Sequence, residues 1–510
     1  MERKWWTLLA VCVATFMLLL DITVVNVALP DIQSDLDASL SSLQWVVDAY
    51  ALTLAAFLLV TGSLGDRVGR RRVFGIGFGV FTTASFLCGI SGDATLLNLA
   101  RALQGVGAAA MFSTSLALIA QEFPPAERPT AIGVWGATVG GAVAVGPLIG
   151  GLLTEGFGWE WIFFANIPIG IAAIVLTVTR LANVKATDAE PIDWAGLITF
   201  SAALFLLIFG LIRGNPEGWG SGVIVASLVG AAVLMAAFIA VELRQDSAML
   251  DLSLFRKPAF TGVSVVAWAL SAGMFAMFLY ITLYVQDVLG YSPLEAGVRF
   301  LPITLLSFFV APIAGRLLGR IPARFMLGLG LVLVGVGLLL MRGIKLGDDW
   351  TTLLPGFLVA GAGIGLTNPA IASTAIGVVA PFRAGMASGI NSTFRQAGIA
   401  TGVAALGAIF QSQIDSRLAE LLPDAPPGLG EAVSAGGGQA AVQSVPPGSR
   451  AQVADAANQA FISGFNDILL VGAAVAIVGG IAGFALVRQR DFVQAPGADA
   501  AAEPAAAGVG

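Results

Sequence analysis

Histidine is absent from all 510 residues. That removes the side chain that shuttles protons near neutral pH and the commonest metal ligand. Proton chemistry, if there is any, has to run on carboxylates. Cysteine is nearly absent as well. Cys12 and Cys88 both lie inside apolar runs, which excludes a disulfide framework and any zinc-ligand spacing. Charged residues make up only 11% of the chain, against about 25% in soluble proteins. No nucleophile elbow or phosphate-binding loop occurs. The glycine clusters Gly105-x-Gly107 and Gly361-x-Gly363-x-Gly365 sit within apolar runs and lack the βαβ setting such a loop needs. These absences speak against an enzyme, a cofactor, a bound metal or a nucleic-acid partner.

What is present is apolar: 57% of residues are hydrophobic and the mean hydropathy is +0.87. A soluble core cannot absorb that much apolar surface, so lipid must cover part of it. A membrane-crossing helix needs ~20 mostly apolar residues. Fourteen segments qualify, near 5–29, 44–64, 73–92, 95–120, 130–154, 160–181, 194–213, 221–241, 259–285, 295–318, 323–343, 352–376, 384–410 and 461–487. The start Glu2-Arg3-Lys4 imitates a signal peptide, but Asp21 interrupts the run and no small-residue cleavage site follows. It reads as the first crossing. With the N-terminus inside, cytoplasmic segments hold eighteen of the 26 Lys and Arg and outer segments five, while Arg101, Arg299 and Arg395 lie within or at the edge of spans. That bias puts both termini on the cytoplasmic side. Tryptophans such as Trp5, Trp45, Trp159 and Trp350 fall at span ends, where amphipathic rings settle.

Between the second and third spans, residues 62–72 read Gly-Ser-Leu-Gly-Asp-Arg-Val-Gly-Arg-Arg-Arg. Five charges share a tight turn, for which Gly65 and Gly69 are the expected positive-φ residues. The chain repeats itself. Gly315–Arg324 echoes the Gly62 loop 253 residues later, and Arg383–Gly389 echoes Arg128–Gly133 at an offset of 255 to 256. Two parallel halves with a two-span insert give that offset. In the second copy Gly319 replaces the acid. The expected units are a six-helix bundle over 1–185, a two-helix insert over 190–245, and a second six-helix bundle over 258–490. That bundle carries an extracytoplasmic loop at 412–459, with some helix near Ser449–Gln459, and an Ala/Gly/Pro tail at 491–510 is expected to be disordered.

Asp21 is an ionisable group inside hydrocarbon, an environment that costs about 2.5–3.5 kcal/mol at a helix centre. It lies ~13 Å of helix before Pro30, and Arg101 lies ~11 Å after Ala94. The two share a depth, and each needs a partner. A carboxylate whose ionisation depends on a movable neighbour is the simplest proton carrier here, and a fixed structural pair is the alternative. Span 5 is glycine-rich from Gly133 through Gly146-Pro147 to Gly150-Gly151, which permits close helix approach and a pivot. Arg395 lies ~18 Å deep in span 13, with no acid at its depth in the second half.

The 62–72 loop resembles the G-x-L-x-D-R-x-G-R-R loop of the major facilitator superfamily, with Gly62, Asp66, Arg67, Gly69, Arg70 and Arg71 on its positions. Gly146-Pro147-x-x-Gly150-Gly151 resembles that superfamily's antiporter motif, although Ala142 stands where glycine is usual. Asp21 with Asn26 and Pro30, Arg101 with Gln104 and Gly105, Trp159-x-Trp161, Asn166-x-Pro168-x-Gly170 and Asn391–Gly398 follow in family order. Glu160 departs from the usual Arg. Residues 5–490 are therefore similar to the fourteen-span drug:proton antiporters. The resemblance implies an all-α polytopic membrane fold of two six-helix bundles plus two helices. It also implies export of amphipathic small molecules against protons, by a monomer in the plasma membrane. Asp21 and Arg101 would couple protons, and the 62–71 loop would act in conformational switching. Asn26, Tyr50, Gln104, Phe278, Asn391 and Arg395 are candidates for the cavity wall. Dedicated export of one metabolite or lipid is the alternative; a membrane enzyme or receptor would need a catalytic cluster or soluble domain that is not visible.

Overall fold

The computed structural model describes residues 2–38, 40–182, 193–245, 250–318, 320–380, 383–423, 425–426 and 428–493. Lys185, Gly319 and the tail beyond 493 lie outside the described residues, as do the side chains of Asn26, Pro30 and Pro147. Among the described residues every regular element is helical. The helices are α1 (Arg3–Asp35), α2 (Leu40–Val68), α3 (Arg70–Gly89), α4 (Ala94–Glu122), α5 (Arg128–Phe157), α6 (Trp161–Phe164), α7 (Asn166–Arg180), α8 (Trp194–Glu217) and α9 (Gly222–Glu242). Then follow α10 (Pro258–Leu270), α11 (Ala276–Leu283), α12 (Pro293–Arg299), α13 (Leu301–Leu317), α14 (Ala323–Leu340), α15 (Leu354–Gly377), α16 (Ala384–Leu421), α17 (Leu429–Ser434), α18 (Gly438–Ser444) and α19 (Arg450–Leu486).

Among the described residues, twelve helices are long and apolar enough to cross a membrane. The shorter apolar stretches Leu148–Phe157 and Leu301–Leu317 stand where spans 5 and 10 were expected, so the structure is compatible with fourteen crossings. Apolar side chains line the outer surface of α9, with Val223, Val229 and Val233 all more than half exposed. Such a surface is stable only against lipid.

Within the first half α1 packs on α4, α5 and α7, and α2 and α3 pack on α4. In the second, α14 packs on α15 and α19, and α13 on α15. The halves meet along α2 with α16 and α5 with α13. The insert lies across this boundary. Ser201 of α8 donates to the Ala56 carbonyl of α2 at 3.1 Å, and Asn215 donates to the Ala404 carbonyl of α16 at 3.1 Å. The span expected over 259–285 is broken by π-helical turns at Ser271–Phe275 and Tyr284–Val288, a form that recurs at functional positions.

Three local expectations need correction. Helix α1 does not end near Pro30 but runs to Asp35, because a proline ring removes one hydrogen bond without forcing a stop. Its end is held by Trp159, whose Nε1 donates to Asp35 at 3.0 Å. Gly65 is not a turn residue; it lies inside α2, where a Cβ would come within 2.8 Å of Thr114 on α4. The connection to α3 is Gly69 alone, at φ 114°. Finally, the 412–459 segment is largely helical: α16 extends to Leu421, α17 and α18 follow, and α19 begins at Arg450.

Candidate functional site

Asp21 and Arg101 meet as their matched depths require. Arg101 Nη1 donates to Asp21 Oδ2 at 2.5 Å, and both side chains are buried. Four more helices close the network. Gln104 donates to Asp21 at 2.8 Å and to Ser85 of α3 at 2.8 Å, and Asn166 of α7 donates to Asp21 at 3.3 Å. Arg101 also donates to Gln104 at 2.6 Å and to the Val46 carbonyl of α2 at 2.9 Å. Its guanidinium stacks over Tyr50 at 4.4 Å and faces Phe163 of α6 at 5.8 Å, a cation–π contribution to holding the charge in a dry bundle. Gln104 and Tyr50, expected on a cavity wall, are fully buried in this network.

The 62–72 loop reaches across to the other half. Asp66 accepts hydrogen bonds from Met386 N at 2.8 Å and Gly385 N at 3.1 Å, and pairs with Arg70 at 2.8 Å. It therefore caps the first turn of α16, where backbone N–H groups and the helix dipole favour an anion. Arg70 also donates to the Ala117 carbonyl and Arg71 to that of Val178, tying the loop to its own half. Glycine makes this approach possible. A Cβ at Gly62 would strike the Gly385 carbonyl oxygen, and one at Gly389 would lie 2.8 Å from the Leu58 carbonyl. The repeat-related crossing joins α5 and α13: a Cβ at Gly133 would lie 3.0 Å from the Ala311 carbonyl, and one at Gly315 would strike that of Pro129. Thus Gly62 and Gly315, and Gly389 and Gly133, hold equivalent places in two crossings. Only the first carries the acidic cap among the described residues. Asp66→Ala is expected to slow turnover about 2- to 30-fold, the equivalent of a cap worth about 0.5–2 kcal/mol, with substrate Kd changed less than twofold. Equilibrium binding and transport measured on the same liposomes check this.

The glycines of α5 divide by face. Gly133, Gly136 and Gly140 approach α13 and α15 of the other half, whereas Gly146 abuts Thr23 and Gly150 abuts Val24 of α1. Gly151 has open space around it. The Gly146–Gly151 run, expected to permit close helix approach and a pivot, makes its close approach within the first half, through Gly146 and Gly150. Between the halves lies a cavity of about 20 Å³, lined by Val139 and Gly140 of α5 and by Phe275, Phe278, Ile303, Thr304, Ser307, Ile364 and Asn368. A space this size holds about one water. Phe278 is on its wall. Arg395 donates to Asn368 at 3.0 Å and stands over Phe275 at 5.5 Å. It thus finds a neutral partner at the cavity wall. Asn391 is buried, its amide nitrogen without a partner. Asp48 lies 4.0 Å from Arg213 of the insert.

Ser85 and Asn368 did not stand out in the sequence. Asn368, followed by Pro369 in an otherwise apolar helix, carried the usable signal: a polar side chain at mid-span needs a reason. Among the described residues no cluster of three potential metal ligands occurs.

Residues 11–403 match the Major Facilitator Superfamily profile. The tetracenomycin C resistance and export protein of Streptomyces glaucescens is 34% identical over 485 residues, covering 93% of this chain and 90% of that protein. The multidrug resistance protein Stp of Mycobacterium tuberculosis is 35% identical over 422 residues, covering 82% and 78%. The crystal structure of the human organic anion transporter MFSD10 (TETRAN) superposes with a TM-score of 0.63 at 14% identity, covering 95% of this chain and all of that one. Its likeness extends to the fold. Motif, fold and relatives agree, and this multi-pass membrane chain belongs to the major facilitator superfamily.

Proposed function

We propose that the chain is a proton-driven exporter of amphipathic small molecules of the antibiotic type, working by alternating access as a monomer in the bacterial inner membrane, with both termini cytoplasmic. The carrying observation is the buried Asp21 carboxylate in a histidine-free chain, joined to the cavity through α1 and α5. Thr23 and Val24, next to Asp21, touch Gly146 and Gly150 of α5, and the same helix lines the cavity with Val139 and Gly140. A proton that takes Asp21 from Arg101 frees α1 to shift, and α5 moves with it as a rigid neighbour. An inward proton gains about 2.3 kcal/mol per 100 mV of membrane potential, which drives the cargo outward. In this conformation Asp66 holds α2 to α16 on the cytoplasmic side, the closure that precedes outward release. A panel of dyes and antibiotics, tested for substrate-driven proton release from proteoliposomes, tests the reading; a set of exported compounds that moves no protons rejects the coupling.

The cavity wall favours neutral or acidic, carbonyl-rich cargo over cations. Arg395 stands behind it, bonded to Asn368 of the lining, and no carboxylate is among the described lining residues. Arg395→Gln is expected to weaken acidic substrates about 10-fold or more, the loss of a charge-assisted hydrogen bond of about 1.5–3 kcal/mol, and to leave cationic dyes unchanged. Competition binding with one acidic and one cationic fluorophore measures the difference. A narrower reading, export of one endogenous compound, is favoured by relatives named for single compounds, such as the tetracenomycin C protein and the probable actinorhodin transporter. The same panel separates it, since a dedicated exporter answers to one chemotype.

A further inference from the structure

The two-helix insert carries an acidic pair that the transport reading does not use. Asp193 begins α8, where its Oδ1 accepts from Gly196 N at 2.7 Å. Glu242 ends α9, where its Oε2 accepts from Leu250 N at 3.3 Å. Both residues are only 5% exposed. The other oxygen of each, Asp193 Oδ2 and Glu242 Oε1, is buried without a hydrogen-bond partner. Those two oxygens converge over Gly196. A Cβ there would strike Asp193 Oδ2 and lie 2.9 Å from Glu242 Oε1. Glycine at 196 is what lets the two acids meet.

Two ionised carboxylates in this position would set acceptor against acceptor and charge against like charge. The repulsion is several-fold stronger at the dielectric of a protein surface than in water. One proton reverses both terms, because a protonated carboxyl donates an O–H to the other's oxygen. Among the described residues, Arg67 at the end of α2 is a cation near Glu242. Two acids sharing one proton carry a single negative charge, and Arg67 balances it. A metal ion fits less well. Hard cations take six or more oxygens, and among the described residues no third acid joins the two.

We propose that Asp193 and Glu242 hold one proton between them, a second protonation site separate from Asp21. Through Arg67 it adjoins the end of α2 that carries Asp66. The insert then reads the proton concentration on the side where α2 closes onto α16.

Infrared spectra of the full-length protein in liposomes, titrated with pH, test the site without reference to transport, so failure here leaves the export reading standing. The wild type is expected to show a protonated-carboxyl carbonyl band that persists well above pH 4, where exposed Asp and Glu have ionised (about 3.9 and 4.3). The band should vanish in Glu242→Gln and in Asp193→Asn and remain in Asp21→Asn. Glu242→Gln offers Asp193 an amide N–H in place of the proton, so the insert keeps its fold. Gly196→Ala, which pushes the oxygens apart while keeping both acids, should lower the band's midpoint by at least one pH unit. A wild type without the band at neutral pH, or a band that survives both acid-to-amide changes, overturns the proposal. So does a band that disappears when sodium or potassium replaces choline, which would make the pair a cation site.

Discussion

Asp21→Asn is expected to abolish substrate-driven proton movement while the protein still inserts and folds. The amide keeps the volume and one acceptor for Arg101 but cannot carry a proton. Stripping one partner from a buried ion pair typically costs about 3–5 kcal/mol, because the other charge stays buried alone. Here Arg101 keeps the Val46 carbonyl, Gln104 and the rings of Tyr50 and Phe163, so the loss should fall below that range. Arg101→Leu removes the other member and leaves a carboxylate facing Gln104 and Asn166 only; it should unfold more readily than Asp21→Asn. The check is proton flux in proteoliposomes beside a thermal melt of each variant. Wild-type proton flux in Asp21→Asn would refute the coupling role, whatever the melt shows.

Gly133→Leu is the second large effect. Its Cβ alone would press within 3.0 Å of the Ala311 carbonyl and the Pro312 Cα, and three further carbons would have no space. The halves would be held apart at this crossing, with the Asp21 network untouched. Transport should fall to background, and cysteines placed beside this crossing should become permanently accessible to thiol reagents. Gly151→Leu on the same helix meets open space and should transport normally, which separates a packing effect from damage to α5. Equal loss in both variants would show that this crossing does not govern the cycle.

Much of this is legible in the sequence itself. Apolar run length follows from membrane physics that acts on sequence directly, and it marked out most of the long helices. The Asp21–Arg101 pair was legible because two charges in hydrocarbon at one depth must find each other. Other features were hidden because they depend on which face of a helix points where. Gly65 and Gly69 look alike in sequence, yet one sits against Thr114 and the other turns the chain. Gly133 and Gly146 lie thirteen residues apart on α5, yet face different partners. Gln104 looked like a cavity residue because polarity marks both wall and network; only the positions of Ser85 and Asn166 decide between them. The helices within 412–459 were obscured by Pro and Gly, whose local preferences are outweighed when flanking segments pack on α16 and α19.

The two glycine crossings bear on how such a pump could be disabled. Blocking a cargo cavity means outcompeting compounds that partition into the surrounding bilayer, and a site with few polar groups has little by which to prefer one ligand. The crossings have no such tolerance: backbone meets backbone there, and an object the size of a methyl group is already too large. A molecule that wedges between α5 and α13 need not resemble any cargo or displace one, and its potency would not decline as cargo accumulates. Resistance to it would have to arise at glycines that cannot be enlarged without stopping the pump themselves.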